Sequence, residues 1–139
     1  MQQTEPKIGV LMDMRLELVP LPTTDVDRSK AFYVDHVGFT LDHDVEPGNG
    51  MRVVQLTPPG SACSIVIGVG ISDPTAAPVH GLHLVVDDLD AVRQTLRGKG
   101  VDVSDISDMG GGVRYAYFSD PDGNSWALQQ ISVSARLPE

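Results

Sequence analysis

One pattern occurs twice in the chain, and it constrains the fold more than any other feature. The first half reads Leu16-Glu-Leu-Val-Pro-Leu-Pro-Thr-Thr-Asp25-Val-Asp27, the second Gly81-Leu-His-Leu-Val-Val-Asp87-Asp88-Leu-Asp90. Each is an extended apolar run, then acidic residues, then a helical stretch. Further on, Arg52-Val-Val-Gln-Leu-Thr-Pro-Pro-Gly60 is echoed by Arg114-Tyr-Ala-Tyr-Phe-Ser-Asp-Pro-Asp-Gly123. Asp88 follows Asp25 by 63 residues and Arg114 follows Arg52 by 62. A recurring offset means one structural unit used twice. Two copies facing each other enclose a cleft, so the question becomes what that cleft holds.

The 139 residues suit one compact unit with a real core. Two half-length modules are stable only by sharing a sheet or packing together. A net charge of −9 disfavours nucleic acid and anionic membranes as partners. The single cysteine, Cys63, cannot form an internal disulfide, which points to a reducing cytoplasm. Its neighbours Ser64-Ile65-Val66-Ile67 suggest a strand and a buried structural thiol. Ile8-Gly-Val-Leu-Met12 is too short to span a bilayer, which takes about 20 apolar residues. The N-terminus also lacks the basic region and apolar core of a signal peptide.

Local signals place the elements. Residues 15–22 read as a strand, with Pro20 and Pro22 arguing for an edge or a bulge. Thr24 and Asp25 are candidate caps for a helix over 26–37, stopped by Gly38. Phe39–Val45, Met51–Thr57 and Cys63–Val69 read as strands, with a turn at Pro47-Gly-Asn-Gly50. The Gly/Pro/Ser/Ala-rich stretch from Gly70 to Pro78 reads as a linker. The order then repeats: strand His80–Val86, a helix after Asp87 and Asp88 with Leu89, Val92 and Leu96 on one face, then strands Val101–Ile106, Val113–Phe118 and Ser125–Ile131. Met109-Gly-Gly-Gly112 reads as a mobile loop; it does not lead from strand into helix, as a phosphate cradle would. The expected fold is α+β: a tail at 1–14, a βαβββ module at 15–69, a linker at 70–78, a second module at 79–132 and a tail at 133–139. The first segment could also add an edge strand.

Two motifs carry a resemblance. Thr24-Asp-Val-Asp-Arg-Ser-Lys-Ala-Phe-Tyr33 with Gly38-Phe39, and Tyr117-Phe-Ser-Asp-Pro-Asp-Gly-Asn124, in this order and with the repeat, resemble the vicinal oxygen chelate superfamily. That group holds glyoxalase I, extradiol dioxygenases, fosfomycin resistance enzymes and bleomycin-type resistance proteins. The resemblance spans residues 15–132. It implies paired βαβββ modules, each curling an incomplete barrel around a cavity, and a homodimer.

Metal-dependent members carry His or Glu at four strand positions. By the same resemblance those positions fall at Leu18, Gly81 and Ala127, with the third near Ser64 or Ile65. Zinc, iron or nickel needs several His, carboxylate or thiolate groups converging on one point. The expectation is therefore no metal and no cofactor. Glu17 and His80 sit one residue away from ligand positions, and strand alternation turns both away from the cavity. His83 lies two residues past Gly81 and shares the cavity face, either as a hydrogen-bonded interior histidine or as a ligand contact and proton-transfer group. His36 and His43 are expected at the surface.

In fosfomycin enzymes the residues matching Tyr115 and Tyr117 face the substrate, so the resemblance turns both tyrosines inward and Phe118 under the helix. Alternation puts Val53 and Gln55 inward in the first module, and Ser125 and Gln129 inward on the last strand. Trp126 then faces the core. Arg52 and Arg114 begin equivalent strands, where a solvated end is the default and an anion clamp the alternative. Asp120 and Asp122 sit in a tight turn that favours Asp and Pro for backbone reasons. No Gly-x-Ser-x-Gly, Gly-x-Gly-x-x-Gly or His-Glu-x-x-His occurs.

Three functions compete. One is a metal-free binder of a bulky, partly aromatic small molecule, like the bleomycin-type antibiotic-binding resistance proteins. It would be lined by Leu18, Val53, Gln55, Gly81, His83, Tyr115, Tyr117, Ala127 and Gln129. Another is a metal-free cyclase, isomerase or dehydratase of natural-product metabolism, with His83 and Tyr117 as catalytic candidates. The third is a metal-dependent lyase or dioxygenase with relocated ligands.

Overall fold

In the computed structural model, which describes residues 12–132, the repeat takes the form of two four-stranded mixed sheets. The first holds β1 (Leu18–Pro20), β2 (Thr40–Gly48), β3 (Met51–Thr57) and β4 (Ser64–Val69) in the order β1-β4-β3-β2. The second holds β5 (Leu82–Val85), β6 (Ser107–Asp108), β7 (Val113–Ser119) and β8 (Ser125–Ile131) in the matching order β5-β8-β7-β6. In each, the first strand pairs in parallel with the last and the remaining pairs are antiparallel. The α+β class and the paired βαβββ architecture are as the sequence predicts. The expected tails at 1–14 and 133–139 lie largely outside the described residues; Met12–Glu17 is exposed and belongs to no strand.

Both helices start where a carboxylate caps them. Asp25 accepts from the Arg28 amide at the start of α1 (Val26–Ala31), and Asp88 from the Ala91 amide at the start of α2 (Leu89–Gly98). Thr24 is not the cap; its hydroxyl goes to Asp122 instead. The first helix continues as a π-helical segment, Phe32–Val37, and ends at Gly38 with φ of 92°. A side chain is disfavoured in that left-handed conformation, so glycine fits the stop. Asn49 and Gly50, with φ of 56° and 74°, close the β2–β3 hairpin. Two central residues with positive φ match the twist of paired strands.

One predicted strand is absent. Residues 101–106 alternate as a strand would, with Val101 and Val103 in the core, yet they form no ladder. The Ser104 amide donates to the Tyr117 carbonyl at 2.9 Å, but the Tyr117 amide donates back to the Ser104 hydroxyl rather than to a main-chain carbonyl. A side chain has replaced the backbone acceptor, so regular pairing begins only at Ser107↔Tyr115. Cys63 also departs from expectation: it lies just before β4 and is only partly buried.

A single core joins the two modules. It runs from Leu21, Tyr33, Val54, Leu56 and Ile67 of the first to Leu89, Leu96, Phe118, Trp126 and Leu128 of the second. All of these lie on the helix-bearing sides of the sheets. Phe32 meets Phe118 with ring centroids 6.3 Å apart, and Tyr33 meets Trp126 at 5.9 Å. The modules thus pack through their helical sides, and each sheet turns its other face outward.

The two resembling motifs are the halves of one lock across this junction. Asp122 accepts from the hydroxyls of Thr23 (2.7 Å), Thr24 (2.7 Å) and Ser29 (2.9 Å), from the Thr24 amide and from Arg28. Asp120 accepts a 2.6 Å bond from the Tyr33 hydroxyl, and that hydroxyl accepts from the Trp126 indole at 3.0 Å. Asn124 donates to the Pro22 carbonyl. The turn at Asp120–Gly123 exists as expected, but its carboxylates also face the other module. Arg52 and Arg114 are not solvated strand ends: Arg52 pairs with Asp44 and Asp27, and Arg114 with Asp90. Each ties the third strand of its module to the first turn of its helix, another consequence of the repeat.

Candidate functional site

The outward face of the second sheet forms a regular grid. Pairing sets His83 beside Ala127, Ala127 beside Tyr117, and Tyr117 beside Ser104. One step along, the row is Gly81, Ser125, Ser119 and, beside Ser104, Asp102. One step the other way it is Val85, Gln129 and Tyr115. Side chains two residues apart on a strand share a face, so the whole grid opens to one side. Above it lies a cavity of about 630 Å³ lined by Gly81, His83, Tyr115, Tyr117 and Ala127, with Asp102, Ser104, Ser119 and Ser125 at one side. The volume is within the range of small-molecule sites.

The tyrosine rings are parallel, 8° apart in plane, with centroids at 6.0 Å. The His83 ring stands edge-on to Tyr115 at 5.7 Å. Gln129 donates to the Tyr115 hydroxyl at 3.0 Å, fixing that ring. His83 places Nδ1 2.7 Å from the Gly81 carbonyl. A carbonyl only accepts, so Nδ1 carries the proton in this contact, and the tautomer that fits it leaves Nε2 as the acceptor. His83 is hydrogen-bonded, but it is exposed over the cavity rather than interior.

The predicted lining divides in two. Gly81, His83, Tyr115, Tyr117 and Ala127 come together over the second sheet, with Gln129 bound to Tyr115. Leu18, Val53 and Gln55 do not join them. They occupy the outward face of the first sheet, beside Ser64, Val66 and Val45. There Gln55 donates to Ser64, and Thr57 links Ser64 to Asp42. The repeat predicts two walls, but not that they face away from each other within one chain.

The grid also fixes the position that sequence left between Ser64 and Ile65. In the first sheet Val66 pairs with Pro20 and Gln55; in the second Ala127 pairs with His83 and Tyr117. Val66 is the counterpart of Ala127, and Ile65 faces the core. None of Leu18, Val66, Gly81 and Ala127 has a ligating atom in its side chain. No group of three His, Cys, Asp or Glu side chains suited to a metal occurs among the described residues.

His80 is not turned away as alternation predicts. Gly81, with φ of 83°, breaks the alternation before β5 begins, and His80 Nδ1 lies 2.9 Å from the Ser125 hydroxyl. His36 and His43 are exposed, as expected; His36 donates to the Lys99 carbonyl, and His43 lies within β2. Asp102 and Ser104 escaped the sequence reading. Their signal was present, because Val101 and Val103 face the core and their neighbours must face the other way.

The family model described as Glyoxalase/Bleomycin resistance protein/Dioxygenase superfamily matches residues 14–128. No curated protein sequence matches the chain. Among solved structures, the chain is similar to TnmS3, an antibiotic binding protein from Streptomyces sp. CB03234. Identity is 38%, coverage 87% of this chain and 98% of that one, and the TM-score 0.75. It is similar to a glyoxalase/bleomycin resistance protein from the same organism, at 39% identity, 84% and 100% coverage and a TM-score of 0.70. A superfamily member from Sphaerobacter thermophilus DSM 20745 aligns at 28% identity, 86% and 98% coverage and a TM-score of 0.74. No helix among the described residues is long and apolar enough to cross a membrane.

Proposed function

We propose that this chain, which belongs to the Glyoxalase/Bleomycin resistance protein/Dioxygenase superfamily, is a metal-free binding protein for a bulky, flat, partly aromatic small molecule of the antibiotic type. The observation that carries this reading is the 630 Å³ cavity floored by parallel tyrosine rings. Gly81 and Ala127 leave room where metal-dependent relatives place ligands, and neither side chain carries a ligating atom. A flat ring gains area and ring–ring contact against Tyr115 and Tyr117 at little entropic cost, since tyrosine has few rotors. Similarity to an antibiotic binding protein supports the same class of ligand.

The working unit in this reading is a homodimer. Leu18, Val45, Val85 and Tyr117 stand on the outward sheet faces with 38%, 49%, 57% and 45% of their surface exposed. Apolar side chains at that exposure favour a partner surface. A twofold axis brings the first sheet of one copy over the second sheet of the other and forms two equal sites. Leu18, Val53 and Gln55 then close the cavity from across the interface.

A metal-free enzyme is the second reading, favoured by the free Nε2 of His83, an acceptor placed over the cavity beside Tyr115. One experiment separates the possibilities: a thermal-shift screen of planar aromatic natural products, with and without divalent metal. Stabilisation independent of chelator supports the binder. Ligand turnover that collapses in His83→Ala while binding persists supports the enzyme. Binding or turnover that requires metal overturns both.

A further inference from the structure

We infer that the cavity contains a second, polar subsite, and that its ligand bears an amine on a hydroxylated, sugar-like ring beside its flat aromatic part. This rests on the small-molecule reading above. The row formed by Gly81, Ser125, Ser119 and Asp102 has no apolar side chain, whereas the next row carries Tyr117 and Ala127. The two rows are two residues apart along the strands, or about 7 Å. That is the reach of one ring attached to an aromatic system.

The side chains of this row are held ready but not used up. Asp102 and Ser119 make no side-chain hydrogen bond or ion pair with any described residue. Asp102 cannot turn into the protein, because Val101 and Val103 on either side are buried at 4% and 3% exposure. Ser125 accepts from the Gly81 amide at 3.4 Å and meets His80 at 2.9 Å, which leaves its hydroxyl one further lone pair or proton. No Lys or Arg lines the cavity.

A ligand covering this row removes water from an unpaired carboxylate. A neutral or anionic group leaves that charge uncompensated, which is costly. An ammonium group offsets the loss with a charge-assisted hydrogen bond. The tyrosine faces attract a cation as well. The two serines supply partners for hydroxyls beside the amine. The chain's net charge of −9 acts in the same direction at longer range.

The test uses three fluorescent probes that share one flat ring system: daunorubicin, with a free amino sugar, its N-acetyl derivative, and its aglycone. The wild-type protein should bind daunorubicin about fivefold more tightly than the N-acetyl form, the size of a partly screened charge pair. Asp102→Asn should abolish that preference, with the N-acetyl form bound at least as tightly as by the wild type. Ser119→Ala should weaken both glycosides and spare the aglycone. Asp102 has no partner to lose, so Asp102→Asn should melt at the wild-type temperature, which separates lost recognition from lost folding. Equal binding of the amine and N-acetyl forms, or a preference that survives Asp102→Asn, overturns the subsite; aglycone binding would then leave the flat-ring reading standing. Failure of all three probes to bind counts against the flat-ring reading itself and takes the subsite with it.

Discussion

Tyr33 and Asp120 are 87 residues apart in sequence, yet their side chains meet in a 2.6 Å hydrogen bond at the junction of the modules. Burial, Asp120's charge and the bond itself all raise the tyrosine pKa, so the hydroxyl remains a donor at any working pH. Tyr33→Phe leaves a buried carboxylate one donor short and the Trp126 indole without its acceptor. The expected loss is about 1.5–3 kcal/mol, the worth of a hydrogen bond to a charged group. Urea unfolding of the variant measures it; an unchanged midpoint would show that the lock is dispensable.

Asp122 gives the junction a pH dependence with a definite sign. Burial pushes its pKa up, but the donors from Thr23, Thr24 and Ser29 together outweigh this and hold it below the ordinary carboxylate value. A depressed folded pKa lends stability that is complete above the unfolded value of about 3.9 and is lost as pH falls through the folded one. Asp122→Asn should therefore be less stable than wild type at neutral pH by about 1–2 kcal/mol. The gap should narrow below pH about 4. Paired thermal melts across that range test it; a gap constant with pH would mean the carboxylate's charge is not what matters.

Gly68 admits no side chain. A Cβ at this position would sit 1.9 Å from the Arg52 carbonyl oxygen, a backbone atom that cannot move without disturbing the β3–β4 ladder. Gly68→Ala should cost about 3 kcal/mol or abolish folding, at or beyond the upper end for overpacking. Gly98→Ala, where the added atom meets nothing within 4 Å, is the matched control and should be tolerated.

Charges placed on the outward faces should prevent the proposed dimer from forming. Val85→Asp and Val45→Asp each put a carboxylate on an exposed apolar position without touching the core. Sedimentation velocity should show the variants as monomers with unchanged circular dichroism, and ligand affinity should fall because the cavity loses its cover. A wild-type protein that sediments as a monomer at tens of micromolar would remove the dimer from the proposal.

Within the cavity, Tyr117→Ala should weaken binding of a verified ligand by about 1–3 kcal/mol, as expected of a major contact. In a pure binder His83→Ala should weaken binding gradually. Isothermal titration with one flat aromatic ligand reads both variants; no change in either would misplace the site.

What could be read from sequence was what is local or repeated. Asp25 and Asp88 cap helices through residues three positions away, and the constant offset carries the pairing of one module into the other. What could not be read depends on tertiary choices. Nothing local says that Ser104 substitutes its hydroxyl for a backbone acceptor, so residues 101–106 look like a strand. A left-handed Gly81 undoes the alternation that should have turned His80 away. Arg52 and Arg114 look like loose strand ends until helices are packed beside them. By sequence Leu18, Val53 and Gln55 fall into one group with Tyr117, because the repeat reveals two similar faces and is silent on which way they point.

The hydrogen bonds that lock the junction come from parts of the fold other than the stretch that connects its halves. Bonds from residues 22–33 to residues 120–126 hold the modules together, while the connecting stretch from Gly70 to Pro78 is mostly exposed and in no strand or helix. Covalent continuity there keeps the two halves at a high local concentration. A gene divided at this stretch should therefore yield two fragments that find each other through Asp120 and Asp122, a split pair whose reassembly reports on whatever the halves are fused to.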